Sequence, residues 1–449
     1  MNSGHDRLTV REKVGYGLGD TASNLFFQTF MIYLLFFYTD VFGISAAAAG
    51  TMLLVTRLWD TVNDPIVGAL ADRTNTRWGK FRPYILWGAV PFGVAGVLTF
   101  TTPDLEPFPK LVYAYVTYGV MMMMYTVVNI PYSALMGVIS PDSLERTSVS
   151  SYRFIFAFLG GLIVQASTLP LVELFGAGDQ RLGFQMTMIV FAAMATALFL
   201  VTFSSTRERV TVDTAIETNL ARDLRDLVTN VPWLVLFVVG LFNLTFTSIR
   251  SGTVVYYFKY VVGEEGLASG FLVAGTVTTL IGVALAPWLA KQLGKKYLFI
   301  TATATSGLLA ASFYLIEPGN YSALLAVQVL ASLAAGPTAP VVWAMYADCA
   351  DYSAHRNKRR ATGLVFSAAT FAQKMGWTLG GALTGWLLAW YGFEANTAQS
   401  DGAVHGIRLM FSVIPGVIGI GAALAMLAYP LDDAEVKRIS AELTKAANA

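Results

Sequence analysis

One stretch of the chain reads LLVTRLWDTVNDPIVGALAD and sets Arg57, Asp60 and Asp64 into an otherwise apolar run. In a helix these three fall at i, i+3 and i+7, on one face, with Asn63 beside them. Two carboxylates one turn apart repel unless a proton or a cation sits between them. Hard oxygen ligands suit a hard ion, so the spacing points to a Na⁺ or H⁺ site. The competing reading is a structural ion pair with Arg57 or with a base on a partner helix. Two acids would then need more than one base. A charge at the centre of a membrane span costs about 2.5–3.5 kcal/mol on insertion scales, so each one needs a reason.

Further polar stripes run through other apolar stretches. Asp20, Asn24 and Gln28 follow one another at four-residue spacing. Tyr125, Thr126, Asn129 and Tyr132 form a second stripe, and Asn243, Thr247 and Arg250 a third. Arg153 stands in a span of its own, and Thr370, Lys374 and Trp377 fall at i, i+4 and i+7. Any one stripe reads equally well as interhelical glue. Together, with both charge signs and nearby aromatics, they suggest a shared polar cavity. Amides, hydroxyls and charged donors beside a tryptophan suit a sugar, whose hydroxyls hydrogen-bond while its apolar face stacks on the ring.

A loop, ADRTNTRWGKFRP, is dense in charge. Asp72 ends one span, and Arg73, Arg77, Lys80 and Arg82 follow. This reads partly as a cytoplasmic anchor and partly as a breakable salt-bridge latch. Asp348, Asp351, Arg356 and Arg360 are its expected counterpart in the second half. His5, His355 and His405 lie in a tail or loops without metal-ligand spacing and read as solvated surface. No Walker loop, zinc motif or nucleophile elbow is present, and no cofactor is expected.

The elements that must position these residues are membrane spans. Of the 449 residues, 55% are hydrophobic and 13% charged, about half the charge of a soluble domain. Mean hydropathy is +0.57. One cysteine, Cys349, makes no disulfide framework, and a net charge of +1 without a basic tail argues against nucleic-acid binding. A span needs about 20 mostly apolar residues. Twelve candidates cover 17–43, 46–71, 84–102, 109–139, 148–176, 183–203, 231–260, 267–290, 297–316, 321–348, 361–391 and 405–428. Continuous rather than alternating runs favour helices over a barrel. The first run lacks a cleavage site and is expected to be retained. The expected fold is an all-α polytopic membrane protein of two six-helix bundles, 1–203 and 231–430. A central loop, 204–230, joins them and reads as a solvated or interfacial helix; a tail, 431–449, follows. Alternate loops carry 22 lysines and arginines against 4 on the opposite side, which puts both termini in the cytoplasm. Arg57, Arg153, Arg250 and Lys374 lie within spans. WGKFRPYIL at 78–86 parallels LGKKYLFI at 293–300, and Arg153 and Lys374 each precede a Gly-Gly pair. Two such matches at nearly one offset indicate a repeat.

YGLGD, FFYTDVFG, RLWDTVNDPIVG, DRTNTRWGKFRPY, YTVVNIPY and FAQKMGWTLGGALTGW resemble the glycoside–pentoside–hexuronide:cation symporters of the major facilitator superfamily. The resemblance runs from about residue 10 to residue 430. It implies cation-coupled glycoside uptake by alternating access, in a bacterial inner membrane, by a monomer. It implies a cation site at Asp60, Asn63, Asp64 and Thr126, adding Thr126 and a role for Asn63 to the residue reading. It assigns Arg153 and Lys374 to linking sugar with cation. Two acids that hold the galactosyl group in galactoside-carrying members correspond here to Asn24 and Asn129, and a stacking tryptophan to Ser133. A melibiose-type galactoside is therefore not the expected substrate. Neutral glucosides, xylosides or a hexuronide fit the substitutions. The rivals are a cation-coupled carrier of a lipid headgroup or other amphipathic solute and, remotely, a membrane transferase. The transferase would want a catalytic carboxylate near the interface, whereas the acids here sit within spans.

Overall fold

The computed structural model describes residues 8–210, 227–357 and 362–448, which are helical apart from turns, connections and one isolated bridge between Thr76 and Gly79. The chain divides into two compact units, Met1–Thr214 with Ala395–Thr397, and Ala215–Glu394 with Ala398–Ala449. Most of the central segment expected as an interfacial helix, 211–226, lies outside the described residues.

In the first unit the helices are α1 (Val10–Ile32), α2 (Ala46–Arg73), α3 (Arg82–Thr99), α4 (Pro107–Val138), α5 (Ser143–Gly176) and α6 (Gln180–Ser205). The α1 path continues through Leu34–Phe36 into a π-helical turn, Phe37–Phe42. The first helix begins before the expected residue 17. Thr9 accepts from the Glu12 backbone N–H while Glu12 reaches back to Thr9, a capping box that carries polar residues into the helix. Ser45 and Asp179 cap α2 and α6 by their side chains alone, Ser45 accepting one backbone N–H and Asp179 two.

The second unit holds α7 (Val231–Tyr257), α8 (Leu267–Leu293), α9 (Lys295–Ser312), α10 (Tyr321–Ala335), α11 (Thr338–Asn357) and α12 (Thr362–Trp390). The series ends with α13 (Asp401–Phe411), α14 (Val413–Leu427) and α15 (Asp433–Asn448). The helix is interrupted at Gly336–Pro337 and again at Ser412, yet each expected span stays a single apolar crossing, Tyr321–Arg356 and Asp401–Leu427. The residues read as a tail form α15, because Val436, Ile439 and Leu443 recur at helical spacing and join a core with Trp233 and Leu298.

Among the described residues eight helices are long and apolar enough to cross a membrane, or nine if the bent pair Val10–Ile32 and Leu34–Phe42 is one span. The expected spans outside that number include α2, whose apolar run is broken by Arg57, Asp60 and Asp64.

The sequence repeat has a packing counterpart. In unit 1, α1 packs on α5 and α6, α3 on α4 and α6, and α2 on α4. In unit 2, α7 packs on α12 and α14, α9 on α10 and α14, and α8 on α10. The α8 contact is backbone on backbone. A Cβ on Gly336 would lie 2.5 Å from the Thr279 carbonyl oxygen, and one on Gly282 would lie 2.4 Å from that of Leu333. Gly336→Val is therefore expected to lower stability by about 1–3 kcal/mol, the usual cost of overpacking. Thermal unfolding of the purified protein, followed by tryptophan fluorescence, measures it. An unchanged melting temperature would contradict the close approach.

Candidate functional site

The centre of unit 1 gathers four of the expected residues from α2 and α4. The Thr126 hydroxyl lies 2.7 Å from Asp60 Oδ1 and 3.1 Å from Asp64 Oδ1. One hydroxyl proton serves one carboxylate at a time, so three oxygens converge on a single proton. Asp60 and Thr126 are 2% and 1% exposed, out of reach of bulk water. Asn63 is buried too, and its Nδ2 has no hydrogen-bond partner among the described residues. An orphaned amide in such a place is a group awaiting a ligand. Turning the amide over would aim its oxygen there instead. Pro65, within α2, has no N–H to return to the Thr61 carbonyl four residues back, which frees another oxygen of the same turn. Arg57 is held one turn away, its Nε donating to the Tyr118 hydroxyl at 3.1 Å. Among the described residues no group of three or more His, Cys, Asp or Glu is placed to hold a metal. A cluster of two carboxylates, a hydroxyl and an amide suits a monovalent ion.

A second cluster joins α1, α4 and α5. Arg153 Nε donates to Asp20 Oδ2 at 3.0 Å, and its guanidinium lies over the Tyr132 ring. Tyr132 is fixed in turn: it donates to the Tyr16 carbonyl at 2.7 Å, Tyr16 donates back at 3.0 Å, and the rings stack. The α1–α5 approach requires Gly160, where a Cβ would sit 2.9 Å from the Thr21 carbonyl oxygen. Both asparagines have fixed amides. Asn24 Nδ2 donates to the Asp20 carbonyl at 2.9 Å, and Asn129 Nδ2 to the Tyr125 carbonyl at 3.0 Å. A carbonyl only accepts, so each Oδ1 must face the other way. For Asn129 that oxygen accepts from Ser23 Oγ at 2.8 Å, whereas Asn24 Oδ1 meets no donor among the described residues. Tyr125 is half-buried, its ring 6.2 Å from that of Phe27, and Gln28 lies beside Gly161.

In unit 2, α12 carries Thr370, exposed, with Lys374 and Trp377 half-buried. Ser248 Oγ on α7 donates to the Trp377 carbonyl at 3.1 Å and ties that turn to α7.

The charged loop is held within its own unit. Glu208, which sequence reasoning passed over, accepts the backbone N–H groups of Lys80, Phe81 and Arg82 at 2.8–3.1 Å and so caps α3. Arg82 donates to the Phe203 carbonyl at 2.7 Å, and Arg77 stacks on Trp78. Asp72 and Lys80 line a cavity of about 350 Å³ with Glu208. Arg73 is exposed. In unit 2, Asp433 accepts the Lys295 N–H, Lys295 pairs with Asp348, and Arg356 donates to the Thr229 carbonyl. Asp351 is half-buried on α11, and Arg360 lies outside the described residues. His355 and His405, read as solvated, have partners: Glu442 at 2.7 Å and Tyr314 at 3.3 Å. Each reaches across from its own helix to another segment, which spacing along the chain does not reveal.

Two helical units with a repeated packing scheme and charges buried at mid-span define a class, the secondary transporters. The chain belongs to the family described as MFS/sugar transport protein, which it matches over residues 15–433. It is 38% identical over 441 residues to the inner membrane symporter YicJ of Escherichia coli (strain K12), covering 98% of this chain and 95% of that protein. It is 37% identical over 438 residues to the isoprimeverose transporter of Lactiplantibacillus pentosus, covering 96% and 90%. The solved structure of a D-xylose–proton symporter matches with a TM-score of 0.66 at 15% identity, over 94% of this chain and 97% of that one, and shares the fold. The protein is thus an integral membrane transporter of the major facilitator superfamily and not an enzyme.

Proposed function

We propose that this chain is a symporter that couples inward movement of Na⁺ or H⁺ to uptake of a glycoside or oligosaccharide by alternating access. The observation that carries the reading is the convergence of Asp60 and Asp64 on the Thr126 hydroxyl. A bound cation relieves the repulsion of the two acids, with Asn63 as a fourth ligand. Sugar hydroxyls donate to Asp20 and Asn24 Oδ1 and accept from Arg153, while Gln28, Tyr125 and Asn129 complete the polar wall of unit 1. Thr370, Lys374 and Trp377 are assigned to the same substrate. The names of the relatives, a symporter and an isoprimeverose transporter, support a sugar cargo. Asn24 and Asn129 in place of acids speak against a melibiose-type galactoside.

The setting is a bacterial inner membrane with both termini in the cytoplasm, which the loop charge asymmetry supports. Asp72, Arg73, Arg77, Lys80 and Arg82, with Asp351, Arg356 and Arg360, form the cytoplasmic gate. The working form is a monomer.

Counterflow and uptake in proteoliposomes test the reading. An imposed Na⁺ or proton gradient is expected to drive a glycoside inward above its equilibrium level. Accumulation under neither gradient, with downhill flux intact, would contradict symport. Trp377→Ala is expected to weaken sugar affinity about tenfold through lost stacking while cation binding survives. Calorimetric titration reads both, and unchanged sugar affinity would remove Trp377 from the site.

A further inference from the structure

Of the basic residues within spans, Arg250 keeps company unlike that of Arg153 and Arg57. Arg153 pairs with Asp20, and Arg57 shares a helix face with Asp60. Arg250 on α7 makes one hydrogen bond among the described residues, from Nη2 to Gln328 Oε1 on α10 at 2.5 Å, and no ion pair. Its guanidinium lies over the Phe313 ring at 4.9 Å and the Phe411 ring at 5.7 Å. A guanidinium has five N–H donors, and a neutral amide oxygen offsets none of its charge. Arg250 is nevertheless only half-buried, so part of it faces open space.

The surroundings are built for this residue. Gln328 is buried, and it fits because position 275 on α8 is glycine: a Cβ there would stand 2.2 Å from Gln328 Nε2. The amide thus holds one edge of the guanidinium, the two rings hold its face, and the remaining N–H groups stay unmatched among the described residues. A planar fork so oriented is the geometry that takes a carboxylate through two parallel hydrogen bonds. An intramembrane cation without an acidic partner among the described residues calls for an anionic ligand.

We infer that Arg250, set by Gln328 over Phe313 and Phe411, is an oxyanion subsite of the second unit. Its ligand is a carboxylate borne by the transported glycoside. This deepens the sugar-transport reading and rests on it for the source of the carboxylate; the same chemistry would take a small free anion.

The test uses the full-length purified protein and matched pairs of methyl glycosides, such as a glucoside and the glucuronide that differs only in its C6 carboxylate. Affinities are measured at fixed Na⁺ and pH, for wild type, Arg250→Gln and Gln328→Leu. The wild type is expected to bind the uronide at least tenfold more tightly than its neutral partner. Arg250→Gln is expected to bring that ratio to about one, and Gln328→Leu to reduce it. A ratio near one in the wild type, with no anion effect, would overturn the inference. So would an equal fall for both ligands in Arg250→Gln, which marks a packing role. Should Arg250→Gln fail to fold, Gln328→Leu and Gly275→Ala carry the same ratio test. A second arm titrates chloride and acetate against thermal stability. Stabilisation that needs Arg250, beside a flat glycoside ratio, identifies a free small anion as the ligand. The same stabilisation in a protein that binds no glycoside sinks the sugar reading and leaves the subsite standing.

Discussion

Replacing Asp60 with cysteine is expected to abolish uphill sugar accumulation and to leave a residual downhill flux. Asp60 is buried, and its carboxylate is the nearer of the two that meet the Thr126 hydroxyl. Without it Asp64 stands alone, the mutual repulsion is gone, and a cation gains little by entering. Coupling between two ligands is a binding free energy of about 1–3 kcal/mol, a 5–150-fold change in affinity. Losing it brings the steady-state ratio of internal to external sugar to about one. Sugar that binds elsewhere in the unit still crosses down its own gradient. Steady-state uptake in energised and de-energised vesicles reads both effects. Full accumulation by the variant would remove Asp60 from the coupling site. Because the substitution relieves a like-charge contact, the variant is expected to be no less stable than the wild type.

The second large effect belongs to the Asp20–Arg153 pair. Removing one member of a buried ion pair leaves the other charge uncompensated, which is typically worse than removing both. The side chains here are 10% and 30% exposed, so water softens the penalty without removing it. Asp20→Asn and Arg153→Gln are each expected to weaken sugar binding about 10–100-fold. The double variant should be weaker than wild type by much less than the product of the two. A double-mutant cycle of sugar dissociation constants measures that non-additivity. Strictly multiplicative losses would mean that the two act separately on the substrate.

What the sequence disclosed follows the range of each interaction. The Asp60–Asp64 pair is legible because helical spacing alone puts both acids on one face. Thr126 lies 66 residues from Asp60, and only the family resemblance brought it to the site. Asn24 and Asn129 were visible as residues, but their amide orientations depend on the carbonyls of their own helices. Ser23, which takes up the Asn129 oxygen, looks like any small residue on an apolar helix. Arg82 read as part of a latch. The structure ties it to the Phe203 carbonyl, while Glu208, 126 residues away, caps its helix. Such a cap has no local signature, because its donors are backbone groups. The helix start at Val10 was legible, since Thr9 and Glu12 stand at capping-box spacing, but apolar runs alone pass over it. The break at Gly336–Pro337 was likewise legible in the dipeptide, though hydropathy runs straight through it.

The central claim is that Asp60, Asn63, Asp64 and Thr126 hold a cation whose presence strengthens sugar binding. Its most direct test is the binding of a glycoside panel to the purified protein, with and without Na⁺, at two pH values. The expected result is a glycoside whose affinity rises with Na⁺ at constant pH, or with protonation when Na⁺ is absent, and loses that dependence in Asp60→Cys. Affinity for every glycoside that ignores both ions would contradict the claim.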